Sequence, residues 1–355
     1  FGTGHTMAAE AIKEGAKLLR PDWDFRVIEL GANLSPRLSN CITRCYLKTI
    51  QYSPRLWGAV YRRGKDQPLR PSFEFLLHRL LYGQIQQILQ EYRPDLIVCT
   101  HPFPSAVISR LKRAGLTIPL YTVITDYGIH GVWISSGVDL YFVPSMKVRE
   151  QMIRLGVDAD KIQVTGIPTH PKFWVKKEKS YARAKLGLAD QPTLLCMGGG
   201  LGIGLSEALL NTIGLFQNRL QILFVAGKNQ ELYEMLRNSK QFQHPNFHLY
   251  PFVDFIDELM DAADVLITKP GGVTCSEAIA KGIPMILLEP IPGQEEDNLE
   301  YLLEQRLGVA ASPSGQTLSL LEQLTENPFP ESLLPIRPSH AFGKQLIERL
   351  VQEVG

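Results

Sequence analysis

The stretch Thr193-Leu194-Leu195-Cys196-Met197-Gly198-Gly199-Gly200-Leu201-Gly202-Ile203-Gly204 runs a short apolar segment straight into a turn with five glycines. A continuous apolar run that ends in glycines and leads into a helix-period stretch, here through Asn211, reads as a buried parallel strand turning into a helix. Glycine lets the backbone approach a ligand closely, and unpaired N–H groups at such turns suit phosphate. It is not a Walker loop, because no Gly-Lys-Ser/Thr follows. Taken alone, a tight strand–helix turn without a ligand explains it equally well.

The same alternation extends outward in both directions, which defines an α/β chain. Thr6–Leu19 places Ala8, Ala11, Ile12, Ala16 and Leu19 on one helical face. Strands are expected at Phe25–Leu30, Asp95–Cys99, Pro119–Ile124, Asp139–Val143, Gln221–Ala226, Asn246–Tyr250, Asp264–Thr268 and Pro284–Leu288. Gly166-Ile167-Pro168-Thr169-His170-Pro171 interrupts any periodic element and marks a boundary. Two Rossmann-like domains are therefore expected over 1–168 and 169–335. A last helix, His340–Val354, follows four prolines and is expected within 336–355 to cross back to the first domain. The chain opens on Phe1-Gly2-Thr3-Gly4-His5, a loop sequence that normally follows a strand, so an opening strand is expected to be missing.

Composition excludes several classes. The 355 residues are 45% hydrophobic and 21% charged, with net charge +1, which is globular and gives no argument for nucleic acid. The five cysteines form no CxxC pair, so a reducing compartment and no zinc site are expected. No apolar run approaches the length of a membrane span. The charge is uneven, however. Ser35 to Leu81 carries nine Lys/Arg against Asp66 and Glu74, a local +7 that leaves −6 elsewhere. Its cations, among them Arg62, Arg63 and Lys65, alternate with Tyr46, Tyr52, Trp57, Tyr61, Phe73 and Phe75. That composition fits either a solvated helical face or contact with anionic lipid.

Four further segments carry chemistry. In Asp264 to Ala278 a strand ends, Gly271-Gly272 turns the chain, and Thr274 stands as an N-cap with Glu277 three residues on. Glu277 then either caps Thr274 or accepts both ribose hydroxyls of a nucleotide. Glu289 to Asn298, with Gln294 and Glu295, is a polar loop after an apolar strand, the end at which α/β sheets bind ligands. Acidic residues at a helix N-terminus are the alternative reading. In the first half, Thr100-His101-Pro102 and Thr125-Asp126 through His130 and Trp133 also end strands. With His5 they place three histidines and an aspartate at one sheet edge.

These residues resemble the monogalactosyldiacylglycerol synthase family, including the bacterial processive diacylglycerol glucosyltransferases, with MurG a more distant relative. The most specific matches are Gly2 to Ala9, Thr100-His101-Pro102, Thr125-Asp126, Ile267 to Ala278, and Gln294-Glu295-Glu296-Asp297-Asn298. The resemblance implies a GT-B fold with an interdomain cleft and a helical basic insertion over 35–90. It implies a UDP-sugar in the second domain and a lipid acceptor in the first. By the family pattern Glu277 is a ribose ligand, and Phe252-Val253 supply backbone to the uracil. Gly199, Gly200, Gly272 and Thr274 neighbour the diphosphate, and Gln294 and Glu295 face the sugar.

The expected reaction is inverting transfer of glucose or galactose from UDP to diacylglycerol at the cytoplasmic face of a membrane, to which the protein binds peripherally. His5 is the expected base, with Asp126 and His101 as rivals. The expected reason is that a helix N-terminus disfavours imidazolium. His130, Trp133, Trp57, Arg62, Arg63 and Lys65 are assigned to acceptor or membrane contact. No Asp-x-Asp triplet occurs, so neither metal nor cofactor is expected. A lipid-linked muropeptide transferase, a UDP-sugar epimerase and a non-catalytic UDP-sugar sensor remain as alternatives.

Overall fold

The computed structural model describes residues 3–30, 58, 61–65, 67, 71–200, 202, 205–311, 315–325 and 340–354. Most of the basic segment, Trp57 included, lies outside the described residues. The chain divides into two compact units. One holds Phe1–His170, Ile291–Asp297 and Phe342–Gly355; the other holds Pro171–Pro290 and Asn298–Ala341.

In the first unit α1 (Thr3–Leu19) buries Ala8, Ala11, Ile12 and Ala16, the spacing of one helical face. Small residues along that face let the helix pack closely. Four strands, β1 (Ile97–Cys99), β2 (Leu120–Val123), β3 (Leu140–Val143) and β4 (Ile162–Val164), form a parallel sheet in that order. Register runs Tyr121 to Leu140 and Phe142 to Gln163. Every position of β2 and β3 is buried, as continuous apolar runs in a parallel sheet require. A helix α2 (Pro71–Tyr92) sets Leu77, Leu81 and Ile85 into a core shared with Val107 and Ile108 of α3 (Pro102–Arg113). After β3 comes α4 (Met146–Arg154), capped by Ser145.

The strand expected at Phe25–Leu30 is absent. Those residues leave no ladder, and among the described residues no strand pairs with them. They are held by rings instead: Trp23 lies 5.8 Å from Phe25, and the Arg26 guanidinium sits 4.9 Å above Tyr92.

In the second unit six parallel strands are ordered β10-β9-β8-β5-β6-β7. They are β5 (Thr193–Met197), β6 (Gln221–Val225), β7 (Phe247–Tyr250), β8 (Val265–Thr268), β9 (Met285–Leu287) and β10 (Val309–Ala310). Sequence order runs outward from β5 in one direction and from β8 in the other. The junction of β5 and β8 is therefore the point where an open α/β sheet leaves a crevice at its carboxyl edge. Helices α5 (Lys179–Lys185), α6 (Glu207–Gly214), α7 (Gln230–Asn238), α8 (Ile256–Ala262), α9 (Gly272–Lys281), α10 (Gln294–Glu304), whose residues up to Asp297 count with the first unit, and α11 (Gly315–Leu324) connect the strands. Leu194, Ile222, Phe224, Ile267 and Ile286 are fully buried together. Truncating Phe224 to alanine would cost about 3–5 kcal/mol.

Behind this sheet the buried Lys281 and Asp261 side chains pair at 2.7 Å, and Lys281 also donates to the Val175 carbonyl at 2.6 Å. That contact fastens α8, α9 and the chain before α5. Removing one partner would strand a buried charge, at a cost of about 3–5 kcal/mol. The last helix, α12 (His340–Val354), buries Leu346, Ile347 and Leu350, and its Glu353 accepts from Gln163 of β4 at 2.9 Å.

Candidate active site

Parallel strands deliver their carboxyl ends to one edge, and in the first unit that edge collects the imidazoles. His5 stands in the first turn of α1. Its backbone carbonyl accepts from the Thr100 hydroxyl, just past β1, at 2.9 Å. Its Nδ1 lies 2.9 Å from the Thr125 hydroxyl, just past β2. The His101 ring meets His5 edge-on at 4.6 Å between centroids, and Trp133 lies at 5.9 Å.

Burial lowers the His5 pKa to about 4, partly offset by the Thr100 backbone. The ring is neutral at pH 7, as expected, but loss of solvation is the main cause rather than the helix dipole. His101 is also held well below the ordinary histidine range, by burial and by His5. Its Nδ1 accepts the Phe103 N–H at 3.2 Å as the cap of α3. That lone pair is already engaged, which weakens His101 as a base. Asp126, next in sequence to Thr125, is half-buried.

His130 is a second imidazole used structurally. Its Nδ1 accepts from Val132 at 3.2 Å, so the proton sits on Nε2, which donates to the Tyr61 carbonyl at 3.2 Å. Trp133 is buried in the first-unit core, so its ring offers no face to a bilayer.

Over this turn lies the helical segment 61–65. Gly131 donates to the Lys65 carbonyl at 2.7 Å, and a Cβ on Gly131 would meet the Gln67 carbonyl oxygen at 2.0 Å. Lys65 pairs with Asp297 at 2.5 Å and Arg62 with Glu296 at 3.2 Å, while the Tyr61 hydroxyl donates to Asp297 at 3.3 Å. Burial and these carboxylates push the Tyr61 pKa up. Two of the cations assigned to lipid thus already have internal counter-charges. Arg63 is exposed and makes no ion pair among the described residues. On α2, Phe75 and Leu76 are about half exposed.

The second unit gathers a different set at the β5/β8 junction. Gly199 and Gly202 have φ of +70° and +61°, and a Cβ on Gly202 would meet the Ala226 carbonyl oxygen at 2.1 Å. Helix α6 opens only at Glu207, capped by Ser206, so the glycine turn is not itself the helix terminus. Lys228 donates its backbone N–H to the Gly200 carbonyl at 3.0 Å and sets its ammonium 5.5 Å from the half-exposed Phe252 ring. Lys269, at the end of β8, brings its Cε within 3.4 Å of where a Gly199 Cβ would stand. Two cations thus flank the glycine turn.

At α9 the N-cap is Gly271, with no side-chain cap, and Gly272 is the first helical residue. Thr274 is inside the first turn rather than at the cap, because the glycine pair lets the helix begin three residues earlier. Glu277 therefore caps nothing. Its side chain is buried, and no hydrogen bond to its carboxyl group occurs among the described residues. Burial raises its pKa to about 8, against the pull of Lys172, while Asp257 adds to the rise. Lys172 and Asp257 lie 3.7 Å apart.

Val253 is half-buried beside Phe252. Glu295, on the first turn of α10, accepts from the Ile291 N–H at 3.0 Å, so one of its carboxylate oxygens serves the loop; Gln294 is half-buried next to it. The buried Asn298 donates to the Pro270 carbonyl at 3.0 Å, bracing the turn into α9. Lys228, Lys269, Lys172 and Asp257 were not singled out from sequence. Gly227-Lys228 at the end of β6 carries the same strand-to-glycine signal as Gly198 and could have been found. Among the described residues no His, Cys, Asp or Glu cluster is arranged to hold a metal, and no helix is long and apolar enough to cross a membrane.

Two parallel α/β sheets, the second with a strand-order switch between β5 and β8, define a GT-B fold, and solved structures agree. Acinetobacter baumannii MurG superposes with a TM-score of 0.53 at 17% identity, over 79% of this chain and 78% of that one. Anabaena Alr3699/HepE in complex with UDP gives 0.53 at 17%, over 77% and 81%. Residues 5–169 match the monogalactosyldiacylglycerol (MGDG) synthase model, and 193–342 match the glycosyltransferase family 28 C-terminal domain. A Bacillus subtilis relative named uncharacterized glycosyltransferase YkoN is 31% identical over 86% of this chain and 80% of its own. The processive diacylglycerol beta-glucosyltransferase of Bacillus pumilus is 30% identical over 85% and 78%. The chain belongs to this family of glycosyltransferases, which joins the monogalactosyldiacylglycerol synthases and the processive diacylglycerol glucosyltransferases.

Proposed function

We propose that the protein transfers glucose or galactose from a UDP-sugar to diacylglycerol with inversion, as a peripheral enzyme on the cytoplasmic face of a membrane. The observation that carries the donor half is Glu277, a buried carboxyl group with no hydrogen-bond partner among the described residues, in the same unit as a glycine turn flanked by Lys228 and Lys269. An unpaired buried carboxyl is costly unless a ligand uses it. Two ribose hydroxyls would satisfy it. The glycine turn, Gly272 and Thr274 then face the diphosphate, and the two ammonium groups stabilise the charge that develops as UDP leaves.

His5 takes the proton of the acceptor hydroxyl as that oxygen attacks the anomeric carbon opposite UDP. A neutral imidazole is needed for this step, and burial supplies it. Diacylglycerol as acceptor is supported by the Bacillus pumilus relative's name and by the half-exposed Phe75 and Leu76 beside a basic segment. Arg63 and the remaining cations of that segment would meet anionic headgroups, each adding about 1 kcal/mol near the surface. Supplying each UDP-hexose with diacylglycerol vesicles tests the reading. Labelled glycolipid supports it; transfer only to a lipid-linked muropeptide, or release of an epimer, replaces it.

A further inference from the structure

His5 is gripped from two strand ends. The Thr100 hydroxyl fixes its backbone, the Thr100 backbone also bonds the ring, and the Thr125 hydroxyl lies 2.9 Å from its Nδ1, while His101 presses on the ring from the side. Thr125 is buried, so its hydroxyl does not trade this contact freely for water. A base needs a third group that sets its tautomer, and the two imidazole nitrogens are not equivalent. If Nδ1 keeps the proton, Nε2 is left to accept one.

We propose that Thr125 is the positioning residue of the reaction: it accepts a hydrogen bond from Nδ1–H of His5 and so presents Nε2 to the acceptor hydroxyl. The bookkeeping of the step is simple. The hydroxyl proton moves to Nε2 as the oxygen bonds to the anomeric carbon and the bond to UDP breaks. The resulting imidazolium keeps its Nδ1–H on Thr125, and the proton later leaves Nε2 to solvent. A chemically similar role is closed to His101, because its Nδ1 is occupied as an acceptor.

The inference rests on His5 being the base, and the test separates the two. Thr125→Val removes the hydroxyl at nearly constant shape and should lower kcat roughly 100-fold, the scale of a misaligned catalytic group, with KM for the donor and UDP affinity unchanged. Thr125→Ser should restore most of the rate. Nitrogen NMR of labelled histidine, with His5 identified by its loss in His5→Gln, should show Nδ1 protonated in the parent. A proton on Nε2, or full kcat in Thr125→Val, overturns the proposal even where His5→Ala is inactive. Equal losses in the Val and Ser variants would make Thr125 a packing residue only. Unchanged activity in His5→Ala would instead remove the base assignment itself.

Discussion

The imidazoles of the first unit and the carboxyl of the second are both stripped of solvent, yet they are finished differently. His5, His101 and His130 each meet a hydroxyl, an amide or a carbonyl of their own chain. Glu277 meets none among the described residues, and its pKa rises to about 8. The first arrangement is wired before any substrate arrives, and at His101 and His130 an amide N–H on Nδ1 fixes which nitrogen carries the proton. The second is left incomplete, and a ligand completes it. Under the proposed function, the first cluster would do the chemistry and the second would recognise the donor.

The largest effect should come from breaking the wired side. His5→Ala should lower kcat by roughly 10²–10⁴, the usual worth of a general base, and leave UDP affinity intact. An equal rate in the variant would pass the role to Asp126. On the incomplete side, Glu277→Ala should weaken UDP by about 1.5–3 kcal/mol, as for hydrogen bonds to a charged group. Calorimetry reads this directly. Because nothing among the described residues hydrogen-bonds to that carboxyl, the melting temperature should hold or rise; a fall with unchanged affinity would make Glu277 structural.

The same carboxyl predicts a pH dependence with a definite sign. Its folded pKa lies above the ordinary value, so the empty protein holds a proton that the unfolded chain has released between the ordinary carboxyl range and about pH 8. Stability from this group therefore falls as pH rises through that window. Ribose hydroxyls favour the ionised form, so UDP binding expels the proton. Affinity should rise with pH, approaching tenfold per unit and levelling above about 8. Lys172 and Asp257 are the charged groups that act on it. Glu277→Gln should remove the slope; if the slope persists, another group titrates.

Smaller effects sharpen the phosphate and membrane assignments. Lys228→Met should weaken UDP by up to about fivefold, the upper worth of an exposed ion pair, and leave uridine unaffected. Loss of both equally would assign Lys228 to the base end, beside Phe252. Arg63→Glu should weaken binding to anionic vesicles by a few kcal/mol at most, since one cation is worth about 1 kcal/mol there. Lys65→Glu is a poorer probe of lipid, because it also places two carboxylates together at Asp297. If Arg63→Glu sediments with vesicles as the parent does, this part of the segment is not the docking surface.

The central strands were legible because burial on both faces leaves uninterrupted apolar runs, as in Thr193–Met197 and Leu140–Val143. The two strands not anticipated, Ile162–Val164 and Val309–Ala310, lie at sheet edges and are short and only partly buried, so they carry little of that signal. Phe25–Leu30 shows the converse, a β-rich run with no ladder beside it. Glycine turns and strand-end histidines were readable as candidates, because parallel topology sends strand ends to one edge. Their partners were not. Thr125 reaches His5 across 120 positions and Asp297 reaches Lys65 across 232, and no local pattern encodes such pairs. The Thr274 cap failed for a local reason, since Gly271 offered an earlier start to the helix.

The most direct test of the account is a transfer assay with the intact protein. UDP-hexose labelled in the sugar is supplied with vesicles of diacylglycerol and anionic phospholipid, and lipid and aqueous products are separated. The account predicts label in a diacylglycerol glycoside, formed by the parent, lost in His5→Ala, and reduced in Glu277→Ala until UDP-hexose is raised. Label recovered only as free hexose or as an epimeric UDP-sugar, with none in lipid, would contradict it.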